Sequence, residues 1–134
     1  MRTLFIFLLC TALVGCASSL EVRKTNKDSL TGLGIGMKKQ KALEIMGTKT
    51  IWVCPPPPWT LETAGASLAD CHNIDNPYRT EVVQGNDRTY EVLYYFTDDN
   101  GSEGITDDEL TPLVFHKGFL MGWGWAYLNE NIKQ

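Results

Sequence analysis

Carboxylates are concentrated in one segment of the sequence, TDDNGSEGITDDEL at residues 97–110, which contains six of them. Oxygen-bearing side chains recur along it as in a Ca²⁺-binding loop, where ligands occupy fixed positions. The residues at matching positions are Asp98, Asn100, Ser102, Ile105 and Glu109. The position that must turn sharply holds Glu103, and glycine follows one residue late at Gly104. We therefore interpret the segment as a solvated hairpin connection, with a bound divalent cation (Ca²⁺) as the alternative.

Cys54 and Cys71 could either bond to each other or ligate a metal. In an oxidising compartment a thiol pair is most simply a disulfide. In the chain-entropy estimate, closing that loop stabilises the fold by about 3 kcal/mol. The metal alternative would add His72 and His116, but the sequence has no CxxC spacing. Because the N-terminal signal described below implies an oxidising compartment, we predict a disulfide between Cys54 and Cys71.

Catalytic motifs are missing from the sequence. It contains no GxSxG, HExxH or phosphate-binding P-loop pattern. Its carboxylates cluster in a loop that no apolar segment obviously encloses, so no carboxylate pair with shifted pKa values is implied. We expect a protein that is not an enzyme and that has no cofactor beyond a covalent lipid.

The N-terminus has the order of a secretory signal. Arg2 is followed by an apolar run at residues 4–14 and then by small residues. The run is shorter than the roughly 20 apolar residues that span a bilayer. Its end, Leu13-Val14-Gly15-Cys16, resembles the lipobox of bacterial lipoproteins. That resemblance implies a signal peptide at 1–15, cleavage before Cys16 and a diacylglycerol on the Cys16 sulfur. The alternative is an ordinary cleaved signal followed by a chance cysteine.

Charge is distributed unevenly along the remaining chain. Residues 21–49 carry seven Lys or Arg and three acids, whereas residues 50–134 carry four and thirteen. A basic segment near a lipid anchor can lie against anionic headgroups. The acidic body argues against a nucleic-acid partner, whose binding depends on neutralised phosphates.

After the signal peptide, the sequence predicts a tether followed by one domain. Residues 16–29 are polar without an apolar period, which predicts a flexible tether, and residues 30–134 are interpreted as one domain. Within that domain, helix formers from Met37 to Met46 precede Gly47, which predicts a short amphipathic helix with an outer face of lysines.

A proline-rich, cysteine-flanked segment follows at residues 52–75. Its four consecutive prolines favour the extended polyproline II form, and Trp52 and Trp59 flank them. We interpret the segment as a stiff strap clamped by Cys54 and Cys71, with one or two helical turns at residues 60–70. The alternative is a ligand for an aromatic-lined groove.

From Tyr78 onward, apolar residues recur at every second position. PYRTEVV and RTYEVLYYF flank a turn at Gly85-Asn86, and LTPLVF and FLMGWGWAYL flank another at Lys117-Gly118. Each pair predicts a β-hairpin. We expect an α+β fold with short helices packed on a three- to four-stranded antiparallel sheet.

The last predicted strand, residues 119–128, alternates glycine with tryptophan. Alternate residues of a strand share a face. The aromatic face would hold Phe119, Met121, Trp123, Trp125 and Tyr127. We favour a core role for this face, because buried aromatic rings supply much of a small domain's apolar area. With the aromatic face in the core, the Gly/Ala face could serve for docking instead. The alternative is an exposed partner surface that includes Trp52, Trp59, Trp123, Trp125 and Tyr127.

Several short motifs resemble the BamE (SmpA/OmlA) family of small outer-membrane lipoproteins. They are the lipobox, Gly36-Met37 with Gln40, Gly47-Thr48, the NPY at 76–78 and PLVFHKGFLMG at 112–122. The resemblance implies an ααβββ domain of the β-lactamase-inhibitor-protein type. The family has a proline where this chain has Lys49, and the 52–75 segment has no counterpart in it.

The same resemblance implies a location and a role. Ala17 after the lipidated cysteine is not an aspartate retention signal, which implies a lipid anchor on the periplasmic face of the outer membrane. We expect a non-catalytic binding module that supports outer-membrane integrity or assembly through an envelope protein partner, in this family the barrel-assembly machinery. The alternative is an inhibitor or a lipoprotein that binds a small ligand or a divalent cation.

Overall fold

The computed structural model describes residues 18–54, 71–101 and 104–132. The helices are α1 (Ser19–Leu30), α2 (Lys39–Met46) and α3 (Trp125–Asn131). The strands are β1 (Ile51–Val53), β2 (His72–Ile74), β3 (Arg79–Gln84), β4 (Thr89–Phe96), β5 (Leu110–His116) and β6 (Phe119–Trp123). A short 3-10 helix, Asp107–Glu109, precedes β5. Among these residues no helix combines the length and apolar character needed to cross a membrane.

Two antiparallel sheets form from these strands, and the predicted α+β class is confirmed. The larger sheet has the order β3-β4-β5-β6, and β1 pairs with β2 in a separate ribbon. The hairpin predicted around Gly85-Asn86 is confirmed as β3–β4, which places Arg79 opposite Tyr94. The second predicted hairpin is β5–β6, with its turn at Lys117-Gly118 as expected.

Both faces of the larger sheet are covered. The alternation of apolar residues along the strands predicted only one covered face. We call them the α3 face and the α2 face, after the helix packed on each. Buried on the α3 face are Val22, Val53, Ile74, Tyr90, Val92, Tyr94, Phe96, Leu110, Val114, Leu128 and Ile132. Buried on the α2 face are Ala42, Met46, Leu93, Tyr95, Leu113, Phe115 and Leu120. The unbroken buried run from Val92 to Phe96 in β4 is typical of a strand covered on both sides.

Helix α1 corrects the prediction of a flexible tether at residues 16–29. It begins after Ser18, whose hydroxyl accepts a hydrogen bond from the Glu21 backbone N–H at 3.2 Å. Only Val22 and Asn26, one turn apart, are buried. Because the second inward position is an asparagine, the sequence shows no apolar period. The helix is nevertheless packed against β4 and α2.

Two buried amides join α1 to the rest of the domain. Asn26 and Asn76 exchange hydrogen bonds of 3.0 and 2.8 Å, and Asn26 also donates to the Phe96 carbonyl at 2.8 Å. Asn76 lies between β2 and β3 and donates to the Met46 carbonyl at the end of α2 at 3.4 Å. Asn76 is the first residue of the NPY motif, so that motif joins α1, α2 and β4 at the connection between β2 and β3.

Helix α2 agrees with the helix predicted over Met37–Met46. It begins two residues later than predicted and ends at Gly47, which has the positive φ of 83° that a glycine cap allows. Ala42 and Met46 are buried. Lys39, predicted on the outer face, is half-buried and pairs with Glu91 of β4 at 2.5 Å, whereas Lys38 and Lys41 are exposed.

The strand predicted over residues 119–128 ends at Trp123, and the rest of that segment is helical. Gly124 has a φ of 89° and redirects the chain into α3. A Cβ on Gly122 would lie 2.6–2.8 Å from the ring of Tyr127. Gly122 therefore lets α3 fold back onto β6, and Gly124 provides the reversal.

A register shift in β6 also overturns the single aromatic face. The pairing slips between Val114 and Phe115, leaving Met121 without a directly opposite partner. As a result Met121 packs on the α3 face, whereas Trp123 packs on the α2 face. Trp125 and Tyr127 reach the α3 face from the helix.

Other predictions lie outside the described residues. They are the signal peptide at 1–15, the acylated Cys16, the four prolines with Trp59, and the helical turns at 60–70.

Candidate partner-binding surface

The described part of the acidic loop is held by contacts within itself, with α1 and with the core. Glu109 is buried, and its carboxylate accepts hydrogen bonds from the Thr106 and Asn100 backbone N–H groups at 2.7 and 3.1 Å. Asp98 lies 3.9 Å from Lys27. Ile105 packs against the core. These contacts fix the connection between β4 and β5.

The described part of the acidic loop contains no cluster of side chains that could bind Ca²⁺, the alternative predicted for this segment. Among residues 18–54, 71–101 and 104–132, no group of three His, Cys, Asp or Glu is arranged to hold a metal ion. Ser102, one of the predicted ligands, lies outside those ranges. Cation binding therefore stays a prediction.

The predicted disulfide between Cys54 and Cys71 is present, with an S–S distance of 2.10 Å. It joins the chain at the end of the β1–β2 ribbon, next to the Val53–His72 pair. The metal alternative for these cysteines is wrong in this structure, because both thiols are used in the bond. His116 lies in the other sheet, with its ring centroid 5.5 Å from that of Tyr90.

Trp52 occupies the outer side of this ribbon. Ile51 and Val53 on either side of it are partly or fully buried, whereas Trp52 is 50 % exposed. It lies opposite Asn73, which is also exposed. Of the aromatic residues predicted to bind a partner, Trp52 is the most exposed within the described ranges.

The other predicted partner residues are largely packed. Trp123, Trp125 and Tyr127 are each partly buried against the core. The Trp125 indole N–H donates to the Leu110 carbonyl at 2.7 Å, and its ring centroid lies 5.6 Å from that of Tyr94. Trp125 is therefore held by the sheet, as a core role requires.

Strand β3 forms an open edge of the larger sheet. Gly85 donates its N–H to the Arg88 carbonyl in the same register that pairs Arg79 with Tyr94. Every second residue counted back from Gly85 therefore bonds to β4 through its backbone. The residues between them direct their backbone N–H and C=O groups away from β4. We call these alternate residues, Thr80, Val82 and Gln84, the β3 edge.

The β3 edge is uncharged and exposed. All three of its residues are exposed, and Val82 is 73 % exposed. Tyr78, just before the strand, is also exposed. Natural sheets usually protect such an edge with lysine, proline or a covering segment.

The opposite edge of the sheet shows that protection. The Gly36 N–H donates to the Leu120 carbonyl at 2.7 Å, and the Leu120 N–H donates to the Met37 carbonyl at 2.8 Å. Lys38 forms a bridge with Phe119. The segment before α2 therefore covers β6, and β3 is the uncovered edge among the strands that the structure describes.

Charged side chains on the α3 face of β3 complete the surface. The Arg79 guanidinium carbon lies 4.3 Å from the Tyr94 ring centroid, and its Nη1 donates to Asp107 at 2.9 Å. Its Nε lies 3.0 Å from Glu81, too poorly aligned to donate a hydrogen bond. Burial, together with the hydrogen bond to Glu81, raises the pKa of Tyr94 to about 12.

A family model matches residues 64–130, half of the chain. The chain belongs to the family described as protein of unknown function (DUF3192). The DUF3192 match includes β2 to β6, and with them Asn76 and the β3 edge. Comparisons with curated proteins and with solved structures found no significant match.

The β3 edge was missed in the sequence, although the segment that contains it was predicted correctly as a strand. Thr80, Val82 and Gln84 alternate with Arg79, Glu81 and Val83, so neither side of β3 is clearly apolar. Central strands that are covered on both sides consist mostly of apolar residues. A strand of mixed polarity at the start of a series of hairpins therefore indicates an edge position.

Proposed function

We propose that this chain is a lipid-anchored, non-catalytic binding module on the periplasmic face of the outer membrane, where it supports envelope integrity or assembly. The partner is an envelope protein that adds a strand to the β3 edge. Such strand addition derives its affinity from main-chain hydrogen bonds.

The open β3 edge is the observation that carries this proposal. It offers the outward N–H and C=O groups of Thr80, Val82 and Gln84. Val82 adds an exposed apolar side chain at the centre of the strand. Proteins that insert or assemble β-barrels handle strands with unpaired edges, so a strand-accepting surface suits an accessory role among them.

Two further observations support the location. The LVGC tetrapeptide ends a signal-like segment at Cys16. The disulfide between Cys54 and Cys71 suits a protein of an oxidising compartment, such as the bacterial periplasm.

The proposal is tested by complementing a deletion strain with matched variants of one residue. Val82→Lys places a charge on the edge, which disfavours strand pairing, whereas Val82→Thr retains a β-branched side chain. We expect the wild type and Val82→Thr to restore outer-membrane barrel levels and detergent resistance, and Val82→Lys to fail although it accumulates normally.

Two results would contradict the proposal. One is a deletion strain with normal barrel levels and normal detergent resistance. The other is an intact mass that shows no acyl chains on Cys16 in protein purified from its own host.

A further inference from the structure

We propose that the first turn of α1 lies in the headgroup layer of the phospholipid bilayer, so that the domain is held against the membrane in one orientation. This inference rests on the proposed acylation of Cys16. It follows from α1 beginning at Ser19, where the sequence had predicted a flexible tether through residue 29.

The distance available between lipid and helix is short. Only Ala17 and Ser18 separate Cys16 from the first helical residue, and Ser18 already caps the helix. Three residue steps span at most about 11 Å even when fully extended. Acyl chains on Cys16 would therefore bring the start of α1 to the membrane interface, whatever path those residues take.

The side chains at this end of α1 suit an interface with lipid. Leu20, in the first turn, is 64 % exposed. Lys24 and Lys27 follow at spacings of four and seven residues, on the same side of the helix, and both are exposed. An exposed leucine followed by lysines is typical of helices that lie in the interface and contact anionic headgroups.

The acidic loop beside α1 is partly neutralised by the same helix. An Arg23 guanidinium nitrogen lies 2.5 Å from the Asp99 carboxylate, and Lys27 lies 3.9 Å from Asp98. These pairs reduce the repulsion that the loop would otherwise experience near anionic lipid.

The hairpin turn of β3–β4 lies at the far end of the sheet. Arg23 of α1 is close to the Phe96 ring at the end of β4, with 5.7 Å between the guanidinium carbon and the ring centroid. Strand β4 has eight residues, so its other end is about 23 Å away at 3.3 Å per residue step. The exposed turn residue Asn86 lies just beyond that end.

The test uses the full acylated chain with one added cysteine, Leu20→Cys or Asn86→Cys, labelled with an environment-sensitive fluorophore. Each protein is reconstituted in vesicles of phosphatidylethanolamine and phosphatidylglycerol that contain a headgroup spin label. We expect the Leu20→Cys probe to lose about half of its emission or more, since interfacial helices lie within the headgroup layer, and the Asn86→Cys probe to keep its emission.

A third protein separates the effect of the short connection from intrinsic membrane affinity. Ten Gly/Ser residues inserted between Ala17 and Ser18 of the Leu20→Cys chain add about 17 Å of root-mean-square reach, which should restore the emission. Equal quenching of the Leu20 and Asn86 probes, or an unquenched Leu20 probe in the acylated protein with the native connection, would overturn the inference. Quenching of the Leu20 probe that persists behind the longer linker would support the position of α1 and show that its own side chains hold it there. Intact mass distinguishes the two failures: acylated protein with an unquenched Leu20 probe retains the proposed anchor and loses only the orientation.

Discussion

The amide groups of Asn26 and Asn76 are buried and bonded to each other, so each satisfies a group that would otherwise lack a partner. Burying an unsatisfied polar group carries a larger free-energy penalty than a hydrogen bond contributes when it is made. The pair therefore acts as a specificity device that fixes where α1 meets the end of β4.

We expect Asn26→Ala to lower the free energy of unfolding by about 1–3 kcal/mol, because it leaves the Asn76 amide and the Phe96 carbonyl without their partner. Urea denaturation measures the change, with the exposed neighbour Thr25→Ala as the control. In a double-mutant cycle, Asn76→Ala should have a smaller effect in the Asn26→Ala background than in the wild type. Additive effects would show that the two amides do not act as a unit.

Tyr95 gives the domain a dependence on alkaline pH. Its hydroxyl donates to the Gly47 carbonyl at 3.0 Å, and burial raises its pKa to about 12, from an ordinary value of about 10. Because the folded-state pKa is higher, the neutral form is favoured by folding. The resulting stability is fully present below pH about 10 and is lost as the pH rises towards about 12.

Tyr95→Phe should therefore reduce the decline in the free energy of unfolding above pH 10. The variant loses the hydrogen bond to Gly47, so it should be less stable than the wild type at neutral pH by about 1 kcal/mol. Urea denaturation across the alkaline range compares the two slopes. Parallel pH profiles for wild type and variant would contradict the assignment.

At the scale of elements, the β5–β6 hairpin and α3 depend on two glycines with different functions. Gly122 provides space for the Tyr127 ring, and Gly124 provides a backbone conformation with positive φ. The alternation of glycine and tryptophan thus marks the end of a strand and the start of a helix.

Gly122→Ala should lower the free energy of unfolding by about 1–3 kcal/mol, because the new methyl group would meet the Tyr127 ring closer than 3.0 Å. Gly34→Ala is the matched control: a Cβ there has no atom within 4 Å, and the backbone φ is ordinary. Tyr127→Ala should remove most of the additional effect of Gly122→Ala. A Gly122→Ala protein as stable as the Gly34→Ala protein would contradict this account of the hairpin.

The elements that could be predicted from the sequence are those with a local signal. Helix α2 has helix formers and a glycine cap, and β3–β4 has a turn between alternating segments. Helix α1 and the end of β6 lack such signals. The inward stripe of α1 is one valine and one asparagine. The strand pattern of β6 continues into a helix, where Gly124 redirects the chain and Tyr127 packs on Gly122. Both depend on tertiary contacts that a local period does not encode.

The candidate site likewise contains some features that a local sequence signal predicts and others that it does not. The disulfide was predicted from residue type, because two cysteines in an oxidising compartment pair most simply with each other. Trp52 was likewise chosen by residue type, and its role in partner binding stays a prediction. The β3 edge depends on which strand lies outermost and on the segment at Gly36–Met37 covering the other edge. That information belongs to the topology of the whole sheet.

At the scale of the whole molecule, the disulfide closes one end of a small ribbon that packs on a larger fold. An isolated two-stranded ribbon is only marginally stable in water. Here Val53 and Ile74 of the ribbon are each 1 % exposed and belong to the core on the α3 face. The ribbon and the larger sheet should therefore unfold together.

The double variant Cys54→Ser/Cys71→Ser should lower the free energy of unfolding by about 3 kcal/mol, the chain-entropy estimate for a loop of this length. Wild-type protein treated with a thiol reductant provides the matched comparison, because it opens the same loop without changing any residue. Unfolding followed by tryptophan fluorescence and by far-ultraviolet circular dichroism should give coincident transitions in the oxidised protein. A fluorescence transition that precedes the loss of secondary structure would contradict the joint unfolding of the ribbon and the larger sheet.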